Sequence, residues 1–301
     1  MWLYYVLILI SVMMFGGGFA LQDVYRKKRG SGLMISMEAA CIGSFAGLIV
    51  LLIVNGFAFE FTWFSLLMAG WSALNGIAFT FCSFQALDRI NLSLYSLFAM
   101  LGGMVLPFLQ GWLFFGEEMT AAKLVCVIFV SLSLLCTVKR GEKKNGVIFY
   151  AGVFVLNGMS GVISKIFTES TLPKASAAGY SVWIATMTVL LSGAVWLVLF
   201  LTKNRKGQDK PEAISKEQKA ARLQSYGVGA LQGAVNKVAN FMLVIALLHV
   251  DASVQYPMVT GGTIVVSTMI SCFGKRKPDQ REWISVGLAF LGVLLLFFIP
   301  F

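Results

Sequence analysis

Residues 225–256 read S-Y-G-V-G-A-L-Q-G-A-V-N-K-V-A-N-F-M-L-V-I-A-L-L-H-V-D-A-S-V-Q-Y. A helix of about 20 predominantly apolar residues crosses a bilayer, and 226–248 is long and apolar enough to do so. Lys237 stands in its middle. An ammonium at mid-bilayer costs about 3 kcal/mol on insertion scales, so it must face protein or a wet cavity. Gly229, Gly233, Asn236, Lys237 and Asn240 recur at helical spacing and share one face, with Gln232 beside them. A small and polar stripe on an otherwise apolar helix is the pattern of a helix that lines a pathway. The alternative is a buried structural charge, paired and silent.

The same stretch has a counterpart 160 residues earlier. Phe81, Ala86, Leu87 and Ser93 match Phe241, Ala246, Leu247 and Ser253, and Ile90, Asn91 and Leu94 meet Val250, Asp251 and Val254. Both stretches end one span, turn through a short polar segment and begin the next. Gly17 through Tyr25 likewise resembles Gly158 through Ile166. These pairings predict a duplication, an arrangement that in membrane carriers places two repeats around a central site.

Of the 301 residues, 58% are hydrophobic and 13% charged, with a mean hydropathy of +0.80. A soluble chain of this length could not hide that much apolar surface, so a polytopic membrane protein is expected. Ten spans are predicted, at 3–24, 33–54, 63–86, 92–115, 120–138, 146–168, 177–201, 226–248, 252–273 and 283–301. The fold class is therefore all-α, ten transmembrane helices in two inverted five-helix repeats, 1–138 and 146–301. The charge-dense segment 202–225 reads as a solvated loop of the second repeat, compatible with a short surface helix.

The net charge of +10 reflects loops rather than a nucleic-acid partner. Twenty of the 24 basic residues fall in odd-numbered loops, the exceptions being Lys123, Lys165, Lys174 and Lys237. Positive loops stay in the cytoplasm, so both termini are expected outside. The five cysteines are scattered within apolar runs and His249 is the single histidine, so neither a disulfide framework nor a metal site is implied. The N-terminus has no basic n-region, and no cleaved signal peptide is expected.

Several polar residues inside the spans are candidates for the wall of a pathway. Asn75 lies in the third span with Gly76, Thr80, Ser83 and Gln85, and Tyr95 begins the fourth. In the ninth, Tyr256, Thr260, Thr263, Ser267 and Ser271 share a face. Thr186, Thr188 and Ser192 in the seventh read as ordinary helix packing. Glu38, a turn and a half inside the second span, either couples transport to a proton or anchors its helix to the basic first loop. Asp23 reads as an interfacial charge beside Arg26. The tenth span, L-A-F-L-G-V-L-L-L-F-F-I-P, is left for packing or contact with a second copy in a homodimer.

The whole chain resembles the drug/metabolite transporter superfamily in its ten-helix, EamA-like branch. The resemblance rests on ten spans in two halves and on P-F-L-Q-G-W-L-F-F-G-E-E-M-T-A-A-K-L at 107–124, a proline followed by small-Gly-Glu and Thr before the last helix of a repeat. The second half departs from it: F-G-K-R-K-P-D-Q-R-E-W at 273–283 has Lys275 where the glutamate would stand, so Glu117 has no symmetric partner. The resemblance implies a carrier of small metabolites working by alternating access. Small multidrug relatives use a glutamate deep in their first helix, and no acid lies deep in 3–24 here. With a basic group as the ionisable residue nearest mid-membrane, a cargo bearing a carboxylate or phosphate is expected, its charge met by Lys237 in a low-dielectric cavity.

The expected function is secondary transport of a small polar metabolite, anionic or zwitterionic, across the cell membrane. Lys237, Asn236, Asn240, Gln232, Asn75, Tyr95, Tyr256 and Thr260 are the expected binding residues. An alternative is a flippase or exporter of an amphipathic or lipid-linked cargo. An enzyme would need a nucleophile–base set or metal ligands, and the chain carries no H-E-x-x-H, G-x-S-x-G or phosphate-binding G-x-x-x-x-G-K-[ST]. No cofactor is called for, and energy must come from a gradient or an exchanged solute. Single cysteines replacing Gly207 and Phe57, in a background without the five native ones, should label from opposite sides with an impermeant thiol reagent. Labelling of position 207 from outside intact cells would reverse the orientation.

Overall fold

A computed structural model of the chain describes residues 2–58, 60–114, 120–122, 124–125, 128–129, 132–133, 144–205, 216–247, 249–250, 252–273 and 278–298. Among them lie nine helices: α1 (Trp2–Arg29), α2 (Leu33–Val54), α3 (Trp63–Leu87), α4 (Leu92–Phe114), α5 (Lys144–Glu169), α6 (Ala177–Arg205), α7 (Lys216–Leu247), α8 (Ala252–Cys272) and α9 (Gln280–Phe298). No strand occurs among the described residues. The tenth helix expected from the sequence, at 120–138, falls largely outside them.

Six of the nine, α1 to α6, are long and apolar enough to cross a membrane, and apolar segments of α8 and α9 are shorter. α7 has the length, but its polar stripe and its charged first turns lower its hydropathy. The outer surface carries apolar side chains that water would not tolerate in such number: Phe45, Leu67, Leu190 and Val198 are all more than half exposed. Length, composition and this apolar exterior together make the chain a membrane protein.

Two helices outrun their predicted spans by five residues or more. α1 ends at Arg29 rather than 24, and α7 begins at Lys216 rather than 226. The added segments, Tyr25–Arg29 and the K-E-Q-K-A-A-R-L-Q run, are rich in strong helix formers, so the helix continues once it leaves the apolar layer. At 1.5 Å per residue α1 is about 42 Å long, against a hydrocarbon core of about 30 Å. Gly30, at φ +100°, ends it.

The helices form a closed circuit. α1 packs on α7, α7 on α2, α2 on α6, α6 on α3, α3 on α5, α5 on α4, α4 on α8, and α8 returns to α1. Each neighbour along this ring comes from the other half of the chain. α9 lies outside it, against α8 and α4. Apolar clusters sit at the seams rather than in the centre: Ile8, Val12, Ala246 and Val259 join α1, α7 and α8, while Leu51, Val182 and Ala185 join α2 and α6. Between α4 and α8 the glue is polar, with Ser93 and Thr268 hydroxyls 2.9 Å apart and Ser267 donating to Ser96.

The tightest seams need residues without side chains. A Cβ on Gly233 would fall on the backbone of Gly43, and one on Gly102 would fall on the Phe154 carbonyl. Gly70, by contrast, has open space around it. Gly233→Val should therefore lower the thermal unfolding midpoint in detergent, by the scale of overpacking, about 1–3 kcal/mol. Gly70→Ala should leave it unchanged or raise it slightly, since alanine is the better helix former.

Candidate functional site: a cavity inside the helix ring

The ring encloses a cavity of about 400 Å³. α7 supplies Gly229, Gln232, Gly233, Asn236, Lys237 and Asn240, so the stripe read from the sequence is one face of this wall. Its position follows from the glycines opposite. The Lys237 stem lies against Gly47 of α2, Asn236 Oδ1 lies against Gly18 of α1, and Gly229 lies against the ring of Tyr25. Any larger residue at Gly18 or Gly47 would push the polar stripe out of place.

The polar groups of this wall are left open. Lys237 has no hydrogen bond or ion pair among the described residues. Asn236 Oδ1 is buried and without a partner, while its carbonyl accepts from Asn240 Nδ2 at 2.8 Å. No carboxylate stands among the described lining residues. In a low-dielectric space the ammonium has donors to give and Asn236 Oδ1 has an acceptor site to fill, so the wall suits an anion at Lys237 and a donor group or ordered water at Asn236.

α3 lines the cavity with Ser72, Gly76, Phe79, Thr80 and Phe84. Ser72, Gly76 and Thr80 precede Gln232, Asn236 and Asn240 by 160 residues, the spacing that relates Phe81 to Phe241. α5 and α6 add the hydroxyls of Ser160, Ser164, Thr168, Tyr180, Ser181 and Thr188. Thr188, read from sequence as packing, is on the wall. α1 and α2 contribute Phe19, Gln22, Tyr25, Ala39, Ala40, Gly43 and Ser44.

The remaining sequence candidates lie elsewhere. Asn75 is one residue off the cavity face of α3. Its amide donates to the Leu156 carbonyl at 2.9 Å and to Ser160 Oγ at 2.8 Å, so it positions a lining serine from behind. Tyr95 is fully buried, with its hydroxyl 3.3 Å from Gln22 Oε1 and 2.9 Å from Ser83 Oγ and its ring edge-on to Phe19. It backs the wall without facing the space. Thr260 is buried in α8 and outside the cavity wall. The side chain of Tyr256 lies outside the described residues.

The two ends of the cavity differ. At the end bearing Arg26–Arg29, Tyr25, Phe84 and Gln22 are buried and close it. The Tyr25 and Phe84 rings meet edge to face at 5.9 Å. Behind them Arg29 Nη2 donates to both Glu38 oxygens at 2.7 and 2.9 Å, and Tyr25 Oη lies 3.4 Å from Glu38 Oε1. Arg29 also stacks over Tyr226 of α7 at 5.3 Å. Arg26 bridges Asp23 at 2.8 Å and Asp88 at 2.6 Å, and Lys28 donates to Gln224 at 2.8 Å. Four helices, α1, α2, α3 and α7, are thus tied across one mouth. At the other end Ser164, Thr168 and Ala177 are exposed beside the stacked rings of Phe167 and Tyr180, 3.8 Å apart. The cavity opens there.

Glu38 is therefore a member of the closed mouth. Both its oxygens are engaged by Arg29, it stands outside the cavity wall, and it anchors α2 to the end of α1. Asp23 is an interfacial charge paired with Arg26 and Lys27.

A scan against protein-family models finds no match, and no curated protein matches the chain. A solved structure described as "Crystal structure of protein" is similar over 96% of this chain and 94% of its own, with a TM-score of 0.58 and 16% sequence identity. That likeness is one of fold alone.

Arg29→Gln and Glu38→Gln should each destabilise the protein, because each leaves a poorly solvated charge unmatched. The double variant should cost less than the sum, with a coupling of about 0.5–3 kcal/mol in denaturation of the detergent-solubilised chain. Strict additivity would remove this pair from the closure.

Proposed function

We propose that the chain is a secondary transporter of the drug/metabolite transporter kind, moving a small polar metabolite, anionic or zwitterionic, across the cell membrane by alternating access. The observation that carries this reading is Lys237: an ammonium inside the helix ring, on a cavity wall that brings no acid to meet it among the described residues. A buried charge persists only where something offsets its desolvation. A cargo anion or trapped water does so here, and a cavity of about 400 Å³ lies within the range of small-molecule sites. Gln232, Asn236 and Asn240 add hydrogen-bonding capacity from the same face.

Two further features support a carrier built of inverted repeats. Exchanging α1–α4 with α5–α8 returns the same set of packing partners: α1 on α7 becomes α5 on α3, α1 on α8 becomes α5 on α4, and α2 on α6 maps onto itself. The closed mouth pairs Tyr25 with Glu38, and the open mouth pairs Phe167 with Tyr180, both pairs 13 residues apart. In this reading one mouth is shut while its counterpart stands open, and the chain is caught in one of two related states. The basic closed mouth is the cytoplasmic one, so the cavity faces outward.

Lys237→Met should leave membrane insertion and folding intact, since it removes a costly charge. Transport in vesicles should fall at least about tenfold, the scale of losing a charge-assisted hydrogen bond of about 1.5–3 kcal/mol. Lys237→Arg should restore little, because a planar guanidinium differs in shape and hydration from a compact ammonium. Wild-type transport by Lys237→Met would move the site elsewhere and leave Lys237 a structural charge.

A further inference from the structure

The transport reading leaves open whether the cargo is a plain anion or a zwitterion, and how polar the rest of it is. The wall of the cavity answers both. Besides Lys237 it presents aromatic rings: Phe19, Tyr25, Phe79 and Phe84 toward the closed mouth, Phe167 and Tyr180 toward the open one. Between them stand the hydroxyls of Ser160 and Thr188 and the amides of Asn236 and Asn240, while Thr80 lies one residue deeper than Phe79.

These groups are ordered by depth. Lys237 packs against Gly47, Gly233 against Gly43 and Gly229 against Tyr25, so successive turns of α7 step toward the closed mouth. Eight residues separate Lys237 from Gly229, about 12 Å along the helix. The backbone of Lys237 thus stands one to two ring lengths above Gly229 and the Tyr25 ring it meets. A sugar or a polyol placed there would exchange its water for rings that, the Gln22 amide and the Tyr25 hydroxyl aside, return no hydrogen bonds. A flat or branched hydrocarbon would fill the floor and stack on those rings.

The charge count is as specific. One ammonium without a described partner matches one negative charge. A second anionic group would find no cation on the described wall. The ammonium of an amino acid would lie close to Lys237 and meet only the neutral acceptor Asn236 Oδ1, with no carboxylate on the described wall to offset the like-charge repulsion, which counts against a zwitterion.

Resting on the transport reading, we infer that the cargo is an amphipathic organic monoanion: one carboxylate held at Lys237, on a compact apolar body of one or two aromatic rings or their aliphatic equivalent, without an amine.

Calorimetric titration of the purified full-length chain in nanodiscs tests this with five probes: phenylacetate, 1-naphthylacetate, acetate, phenylalanine and phenylacetamide. One of the two aryl acetates should bind at least tenfold more tightly than acetate, phenylalanine or phenylacetamide. Lys237→Met should weaken it at least tenfold, and Phe79→Ala should weaken the aryl acetate while leaving acetate unchanged. Acetate or phenylalanine binding as tightly as the aryl acetates, still in a Lys237-dependent way, would overturn the cargo class and leave the transport reading standing. Phenylacetamide binding as well as phenylacetate, with Lys237→Met neutral, would overturn both. Failure of both aryl acetates at millimolar concentration would overturn the cargo class alone, because transport is measured separately.

Discussion

The architecture depends on how closely α7 approaches α1 and α2. At Gly43 and Gly233 the two backbones touch, and at Gly18 and Gly47 the absence of side chains receives Asn236 and the stem of Lys237. Inside a bilayer, helix association has no hydrophobic effect to draw on and relies on close packing and interhelical hydrogen bonds, which small residues permit. The glycine contacts therefore do two things together. They hold α7 in the ring, and they turn its polar stripe toward the cavity rather than toward lipid, where an ammonium could not stay.

The electrostatics divide the molecule by depth. Charges near the basic end are matched: Asp23 with Arg26 and Lys27, Asp88 with Arg26, Glu38 with Arg29. Lys237, deeper in, stands without a described partner. Matched charges suit a closed end, since each pair is satisfied there. An unmatched charge suits a site whose partner arrives from outside. The same residue type thus serves two purposes according to what faces it.

Much of this was legible in the sequence, and the limits have physical reasons. The α7 face was readable because polar residues at helical spacing in an apolar span have few alternatives. On α3 the same reasoning selected Asn75, the most polar residue, whereas the cavity face runs through Ser72, Gly76 and Thr80. A small residue lines a space as readily as a polar one, and Asn75 spends its amide on Leu156 and Ser160. Carrying the 160-residue spacing back from Gln232, Asn236 and Asn240 would have found the right face. Thr260 illustrates the converse. Its helix bears hydroxyls at regular spacing, but those of Ser267 and Thr268 bond α8 to α4, and threonine and serine serve a seam as well as a pathway. The interleaving of the two halves has no periodic signature at all, because periodicity reports which face is buried and not which helix buries it.

That interleaving constrains how the protein comes into being. No helix of the first half has a principal neighbour within its own half. α1 meets its partners only after α7 and α8 are made, nearly 200 residues later, and at about 5–20 residues per second that is a delay on the order of 10–40 s. During this interval α1 and one side of α2 lack their partner, and Gly18, Gly43 and Gly47 lack the helix they were shaped for. Assembly is thus a late, nonlocal event with a high contact order, in which the second half threads its helices between those already waiting. Helices made before α7 must be stable in the bilayer without it, which fits the apolar character of α1 to α6, while α7, inserted late into prepared grooves, can carry the polar stripe.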